Sequence, residues 1–346
     1  MRLATPQDKP GAKRLEYVTT LRTRDPHRNV FHASNVRPDE IRRLLDLKAD
    51  PFWLDIDSAV PEQHGLLADV FGFHSLAIED TLNPRTRVKL EEYDGYLFVV
   101  LRAMRFDPEK PFDGRELGVK KLCLFIGPNY LVSVHAGVSS SVNLAMAQFE
   151  REPELIEQGG PARLAHLVCD AVVDEYFPIL DRVDAGVDRL EHGDMDQLDH
   201  RTFDEILKIR RLAFAARRSI LPQRTIFDAL AHRSTALISG DARLYFRDVF
   251  DHAQRIIDSL DAYRELIANT TDSYLARSSM RMDYATKVFS AIATLVLPFF
   301  VISEFYGMNV RGLPLSSAPG AFWIIVAVEV AISGLLLLIL RKRRLL

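Results

Sequence analysis

Very little in this sequence supports a catalytic or secreted reading. Of 346 residues only two are cysteine, Cys123 and Cys169, and neither stands in a CxxC or Cys/His spacing. A disulfide framework is thereby excluded, and two buried free thiols are expected. Charge of one sign is equally scarce: 44 Lys and Arg face 47 Asp and Glu, which leaves no basic field for nucleic acid. There is no Gly-rich phosphate loop, nucleophile elbow or HExxH, and the 10 histidines do not cluster at metal spacing, so no enzyme class is indicated. An apolar h-region is missing from MRLATPQDKPGAKRLEYV, and the polar body is expected in the cytosol. Membrane-length apolar runs are absent until about residue 288, where two arrive almost together.

The polar body reads in two parts. Residues 1–14 are rich in Pro, Lys and Arg without periodicity and form a loose lead-in. Residues 15–150 are expected to form an α/β domain. YVTTLR and FWLDID are strand-like, and between them Ile41, Leu44 and Leu45 have helical spacing. PEQHGLLADVF (61–71) is a helix that Gly72 can end, and SLAIEDTLN is a shorter one before the Asn83-Pro84 turn. YLFVVLRAMRF (96–106), KKLCLFIG and NYLVSVHA (129–136) are the strongest strand signals. The turn chemistry of PEKPFDG and GPN between them predicts antiparallel pairing, with helices to one side or both.

From Pro161 the apolar spacing becomes helical through Leu164, Leu167, Val168, Ala171 and Val172, and again through Phe177, Leu180, Val183, Val187 and Leu190. Residues 161–240 therefore read as a helical hairpin region, interrupted by a solvated break, HGDMDQLDH (192–200). Between Asp241 and Pro298 there is neither Pro nor Gly, and a helix of that length extends on the order of 85 Å at 1.5 Å per residue. No small globule can enclose it. Residues 241–306 are expected to be a stalk helix that continues into a first transmembrane helix.

Residues 288–303 carry no charge and, with Phe305 and Tyr306, approach the roughly 20 residues that cross a bilayer. Residues 321–340 are a second such span, joined to the first by a short loop at 307–320 that forces an antiparallel hairpin. The basic tail at 341–346, which opens with RKRR, places the C-terminus in the cytoplasm. The expected topology is a multi-pass inner (plasma) membrane protein with both termini cytoplasmic. A buried core helix is the alternative for the first run, and Pro298 within it is expected to bend it.

Asp272, Ser279, Asp283, Thr286, Ser290, Thr294, Leu297 and Val301 follow one another at steps of seven, four and three, which is one helix face. A stripe of small and polar groups continuing to membrane depth faces either a water path or a neighbouring helix. Two spans cannot enclose a pore. Several copies could, with carboxylate rings of Asp272 and Asp283 at the cytoplasmic end suited to a hydrated cation. The rival from another class is a membrane-anchored helical sensor or scaffold, in which the stripe serves only contacts between copies.

SAIATLVLPFFVISEFYGMN (290–309) resembles the first transmembrane helix of the CorA-type divalent metal ion transporters, whose signature is Tyr-Gly-Met-Asn at its outer end. FWLDID and residues 74–101 are similar to that family's cytoplasmic domain, and YFRDVFDH (245–252) to its stalk. The resemblance implies an α/β cytoplasmic domain, long stalk helices and a two-helix transmembrane hairpin, assembled as a funnel-shaped homopentamer in the lipid bilayer. It implies transport of Mg2+, Co2+ or Zn2+, with the ion as substrate and also as regulator. Gly307, Met308 and Asn309 would form the selectivity mouth, Asp272 a lower pore ring and Leu297 a hydrophobic constriction. Asp80 and Asp248 would form an intersubunit regulatory metal site, although by themselves they read as a helix cap or surface charge.

Departures from the family pattern concern charge. Asp283 stands where Asn is common, Glu304 where a small residue is usual, and Arg311 lies in a loop, VRGLPLSSAPG, without the acidic MPEL-like sequence. That loop looks closer to the ZntB-like zinc branch, which makes a proton-coupled zinc importer the alternative. Glu329, the sole charge of the second span, either pairs or snorkels between helices or is a proton site.

Overall fold

Runs of β-branched and aromatic residues that are apolar on both sides can be covered only from both faces, and here they pair into one sheet. The computed structural model describes residues 19–24, 30–34, 36–47, 51–106, 117–192, 200–308, 313–314 and 319–342. Its elements begin with β1 (Thr19–Arg24), β2 (Val30–Ser34), α1 (Pro38–Leu47), β3 (Phe52–Asp57), α2 (His64–Asp69) and α3 (Ser75–Leu82). β4 (Lys89–Tyr93), β5 (Tyr96–Phe106), β6 (Leu117–Ile126) and β7 (Tyr130–His135) complete the strands. The remaining helices are α4 (Ser140–Arg151), α5 (Pro161–Asp174), α6 (Phe177–His192), α7 (His200–His232), α8 (Gly240–Gly307) and α9 (Ala321–Lys342). The chain divides into two units, Met1–Ala268 and Asn269–Leu346, so α8 begins in the first and ends in the second. The loose lead-in expected at 1–14 and residues 193–199 of the expected break lie outside the described residues.

In the first unit the strand order is β2-β1-β3-β7-β6-β5-β4. The antiparallel pairing expected for the three strongest strand signals is present in β5-β6-β7. β4 and β5 are joined by Asp94-Gly95, a two-residue turn in which Gly95 holds φ +82°, a conformation that glycine adopts without strain. Sequence reading did not anticipate β3 and β7 as parallel partners, registered from Phe52↔Tyr130 to Asp57↔His135. Residues far apart in sequence make that pair, and no local signal specifies it. Its polar side chains are matched across the strands: Trp53 Nε1 donates to Ser133 Oγ at 2.9 Å, Ser133 Oγ donates to Asp55 Oδ1, and His135 Nε2 lies 3.1 Å from Asp55. Burial by itself would lower the His135 pKa, but the hydrogen bond and charge of Asp55 outweigh it and raise the value.

Phe52, Leu54 and Ile56 of β3, Phe98 and Val100 of β5, and Phe125 of β6 share one face with Ile41, Leu66, Leu67 and Ala77 of α1 to α3. The alternate side chains, among them Trp53, Val99, Leu124 and Leu131, are equally buried. α5 lies against β3, β5, β6 and β7 and is buried almost all round, as a helix in the middle of a layered domain must be. Both cysteines are buried and free, and burial pushes the Cys123 thiol up to about 11.

Gln223, fully buried inside α7, binds the sheet edge-on. Its Oε1 accepts from the Arg102 backbone N–H at 3.1 Å, and its Nε2 donates to the Arg102 carbonyl at 3.1 Å and to Tyr176 Oη at 3.0 Å. Gln223→Leu leaves these buried groups unpaired, and each such group costs ~1–3 kcal/mol. The expected result is a clearly lowered thermal unfolding midpoint of the full chain in detergent. A midpoint equal to wild type would contradict the assignment. Two further contacts hold the beginning of α8: Arg217 Nε donates to Asp261 Oδ1 at 2.6 Å, and Tyr263 Oη donates to Asp184 Oδ1 at 2.8 Å.

Candidate ion pathway and metal-binding cluster

Two helices, α8 in its C-terminal half and α9, are long and apolar enough to cross a membrane. Phe289, Phe300, Trp323 and Leu338 are each more than 60% exposed. A core helix would cover such side chains with protein, whereas a lipid-facing helix leaves them outward. The alternative of a buried core helix is therefore not met.

Within the second unit the two helices touch antiparallel. Ser303 Oγ donates to Glu329 Oε1 at 3.4 Å and, two turns further in, Ser333 Oγ donates to the Leu295 carbonyl at 3.2 Å. Tyr306 Oη donates to the Pro314 carbonyl at 2.9 Å. From residue 288 to the end of α8 the covered or half-covered positions are Val288, Ala291, Leu295, Pro298, Ile302 and Tyr306, which recur at steps of three and four and define the face turned to α9. Pro298 lies on that face, and α8 stays helical through it. Glu329 is 6% exposed, buried between the two helices with Ser303 as its donor.

The polar stripe is elsewhere. Asp272, Ser279, Asp283, Thr286, Ser290 and Thr294 are all exposed, as are Leu297 and Val301. At about 100° per residue the stripe is centred roughly 120° around the helix from the α9 face. Helix contact within the hairpin therefore does not account for it. Thr286 Oγ1 donates to the Met282 carbonyl at 2.8 Å and Thr294 Oγ1 to the Ser290 carbonyl at 2.8 Å. With their protons turned to the backbone, both hydroxyls present oxygen lone pairs outward, the polarity a cation or its water shell prefers. Gly307 ends α8 and Met308 is exposed, whereas Asn309 and Arg311 lie outside the described residues.

The carboxylates singled out in the first unit separate into two clusters. Asp80, on α3, is 2.5 Å from Lys89 Nζ and accepts from Thr86 Oγ1 at 3.2 Å. Burial would lower the Lys89 ammonium, but its hydrogen bonds to Asp80 and Glu91 carry it above its usual range. Asp80 is thus already neutralised within its own chain.

Asp248 joins residues that sequence reasoning missed. Asp170 and Asp174 are one turn apart on α5, and Asp248 and His252 one turn apart on α8, so each pair presents a single face. His252 Nδ1 is 4.0 Å from Asp170 Oδ1, and Nε2 is 3.7 Å from Asp248 Oδ1. One ligand atom each of Asp170, Asp248 and His252 falls within 4.8 Å of the others, and the buried His252 Nδ1 makes no hydrogen bond. Burial, then the neighbouring Asp174 charge, pushes the Asp170 carboxyl up to about 6. A divalent cation at this point would offset the mutual repulsion and occupy the imidazole nitrogen. Two carboxylates and one imidazole suit Zn2+ or Co2+, and Mg2+ with retained waters. The i, i+4 spacing of Asp170/Asp174 and Asp248/His252 was a readable signal. That the two pairs face each other was not.

Comparison with known proteins gives this geometry its setting. The cobalt/magnesium transport protein CorA of Thermotoga maritima is 26% identical over 278 residues, covering 80% of this chain and 78% of its own. The zinc transport protein ZntB of Cronobacter sakazakii is 22% identical over 289 residues, covering 81% and 83%. The fold is that of the complete structure of the CorA magnesium transporter from Methanocaldococcus jannaschii, with a TM-score of 0.76 at 19% identity over 94% of this chain and 98% of that one. Residues 48–342 match the family described as CorA-like Mg2+ transporter protein, a family of transporters and not of enzymes, and the chain belongs to it.

Proposed function

We propose that this protein carries divalent metal cations across a membrane through a pore assembled from several copies, with five the number its family resemblance favours. The observation that carries this reading is the exposed stripe from Asp272 to Val301, which α9 leaves uncovered. In a ring of copies the stripes converge. Asp272 and Asp283 collect cations at the inner end, Ser279, Thr286, Ser290 and Thr294 offer oxygens to a hydrated ion, and Leu297 and Val301 make the apolar constriction where closing dewets the path. Gly307, Met308 and Asn309 form the outer mouth, with Arg311 nearby limiting its attraction for cations. The pore lies in the inner membrane with both termini cytoplasmic.

Regulation by the transported ion is assigned to Asp248 with Asp170 and His252. Asp80 takes part only if a neighbouring copy competes with Lys89 for it. A sensor or scaffold has no use for a carboxylate and hydroxyl line ending at Gly307-Met308-Asn309, whereas a pore does. Glu329, enclosed by Ser303, acts as a pairing group of the hairpin in this reading. A Glu329→Gln protein is expected to keep the pH dependence of uptake, and its loss would support proton-coupled zinc import instead.

The test is flux. Purified protein in liposomes is expected to move Mg2+, Co2+ or Zn2+ down its gradient, and Asn309→Ala to reduce the rate or alter the ion order. If none of the three ions moves and Asn309→Ala equals wild type, the transport reading is abandoned.

A further inference from the structure

Two carboxylates lie within the spans, and the hairpin treats them oppositely. Glu329 is buried and takes the Ser303 hydroxyl. Glu304 is exposed and has no hydrogen-bond or ion-pair partner among the described residues. Its position is set by register: Leu297, Val301, Glu304 and Met308 follow at steps of four, three and four, so Glu304 extends the polar stripe by one more turn. At about 100° per residue it stands roughly 160° around α8 from the centre of the α9 face. A carboxylate near the outer end of a span, with no partner among the described residues and turned from its neighbouring helix, is placed to face water or another copy.

We infer that the Glu304 side chains of the assembled copies form a carboxylate ring in the pore, just inside the outer mouth, that binds the entering divalent cation and sets the affinity of uptake. This rests on the transport reading above. Glu304 lies one turn beyond Val301, on the outer side of the Leu297–Val301 constriction, so a cation held there waits directly above the apolar step. A ring of oxygen anions at that depth also offsets the repulsion of Arg311 at the same end. It favours ions that exchange water for carboxylate oxygen, which places Zn2+ and Co2+ ahead of strongly hydrated Mg2+ in affinity.

The experiment compares wild type, Glu304→Gln and Ile292→Gln in liposomes, measuring initial Zn2+ and Mg2+ flux against concentration at low and high KCl. Ile292 is 53% exposed on another face of α8 and serves as the control. For Glu304→Gln the half-saturating Zn2+ concentration is expected to rise about tenfold at low salt, with a smaller difference at high salt as the ring charge is screened. Half-saturation within about twofold of wild type, in protein that does transport, overturns the ring and leaves the transport reading standing.

A second measurement keeps the ring testable if no ion moves and the transport reading fails. Because Cys123 and Cys169 are buried, Glu304→Cys introduces the accessible thiol, and oxidation of the full chain in membranes is expected to give disulfide-linked dimers. Ile302→Cys, on the half-covered α9 face, is expected to stay monomeric. Absence of dimers from Glu304→Cys overturns the convergence of these side chains whatever the flux.

Discussion

Thr294→Trp is expected to lower divalent-cation flux through the reconstituted protein by more than about tenfold, each tenfold corresponding to ~1.4 kcal/mol of added barrier, while Ile292→Trp stays near wild type. Both positions are on the same turn of α8 and both are exposed. They differ in direction. Thr294 belongs to the stripe, with its hydroxyl proton committed to the Ser290 carbonyl and its lone pairs outward. Ile292 points roughly 160° away from it, at about 100° per residue, where an indole meets lipid. If several stripes share one axis, a Trp at 294 fills the lumen with apolar bulk once per copy. Equal flux from the two variants would show that the stripe does not line the path, and equal loss would show only that the helix dislikes Trp. Initial Zn2+ or Mg2+ uptake into liposomes, normalised to inserted protein, reads the difference.

Asp170→Asn is expected to change stability with opposite signs in the absence and presence of metal. Without metal, burial and Asp174 hold the Asp170 carboxyl at about 6, above its usual 3.8. The folded chain therefore binds a proton that the unfolded chain has released, and the stability tied to this group is full below about 4 and lost as pH rises through about 6. At pH 7.5 Asn removes a disfavoured charge, and the thermal midpoint in chelator rises. With divalent metal the order inverts. A cation at 100 times its dissociation constant stabilises wild type by ~2.7 kcal/mol, and Asp170→Asn loses most of that gain. Metal-induced stabilisation of wild type should also weaken below about pH 6, where protons compete with metal for the Asp170 carboxylate. Thermal unfolding with chelator and with Zn2+, at pH 5 and 7.5, tests both signs. A metal-dependent shift unchanged in Asp170→Asn would remove Asp170 from the site.

The elements were legible where their signals are local. The helical spacing that begins at Pro161 became α5, the run without Pro or Gly became α8, and the runs rich in Val, Leu, Phe and Tyr became β5, β6 and β7. Pro298 lies inside α8, which is helical on both sides of it, and Ser333 of the neighbouring helix donates to the Leu295 carbonyl. Asp80 was the least legible of the candidate residues, because its partner Lys89 comes from a strand whose closeness to α3 no spacing encodes.

What the sequence by itself determined is what periodicity and chain length can fix: two membrane spans, one polar face along α8, and a Gly-Met-Asn terminus resembling a transporter family. Helix geometry repeats every 3.6 residues whatever surrounds it, so a face can be read without a structure. Only the tertiary structure decided which side of that helix α9 covers, that Asp170 meets Asp248 and His252, and that β3 lies parallel to β7. These depend on residues far apart in sequence, brought together by burying apolar surface that has no address of its own. The stripe was visible as a pattern, and it became a candidate ion path when its neighbouring helix was found on another face.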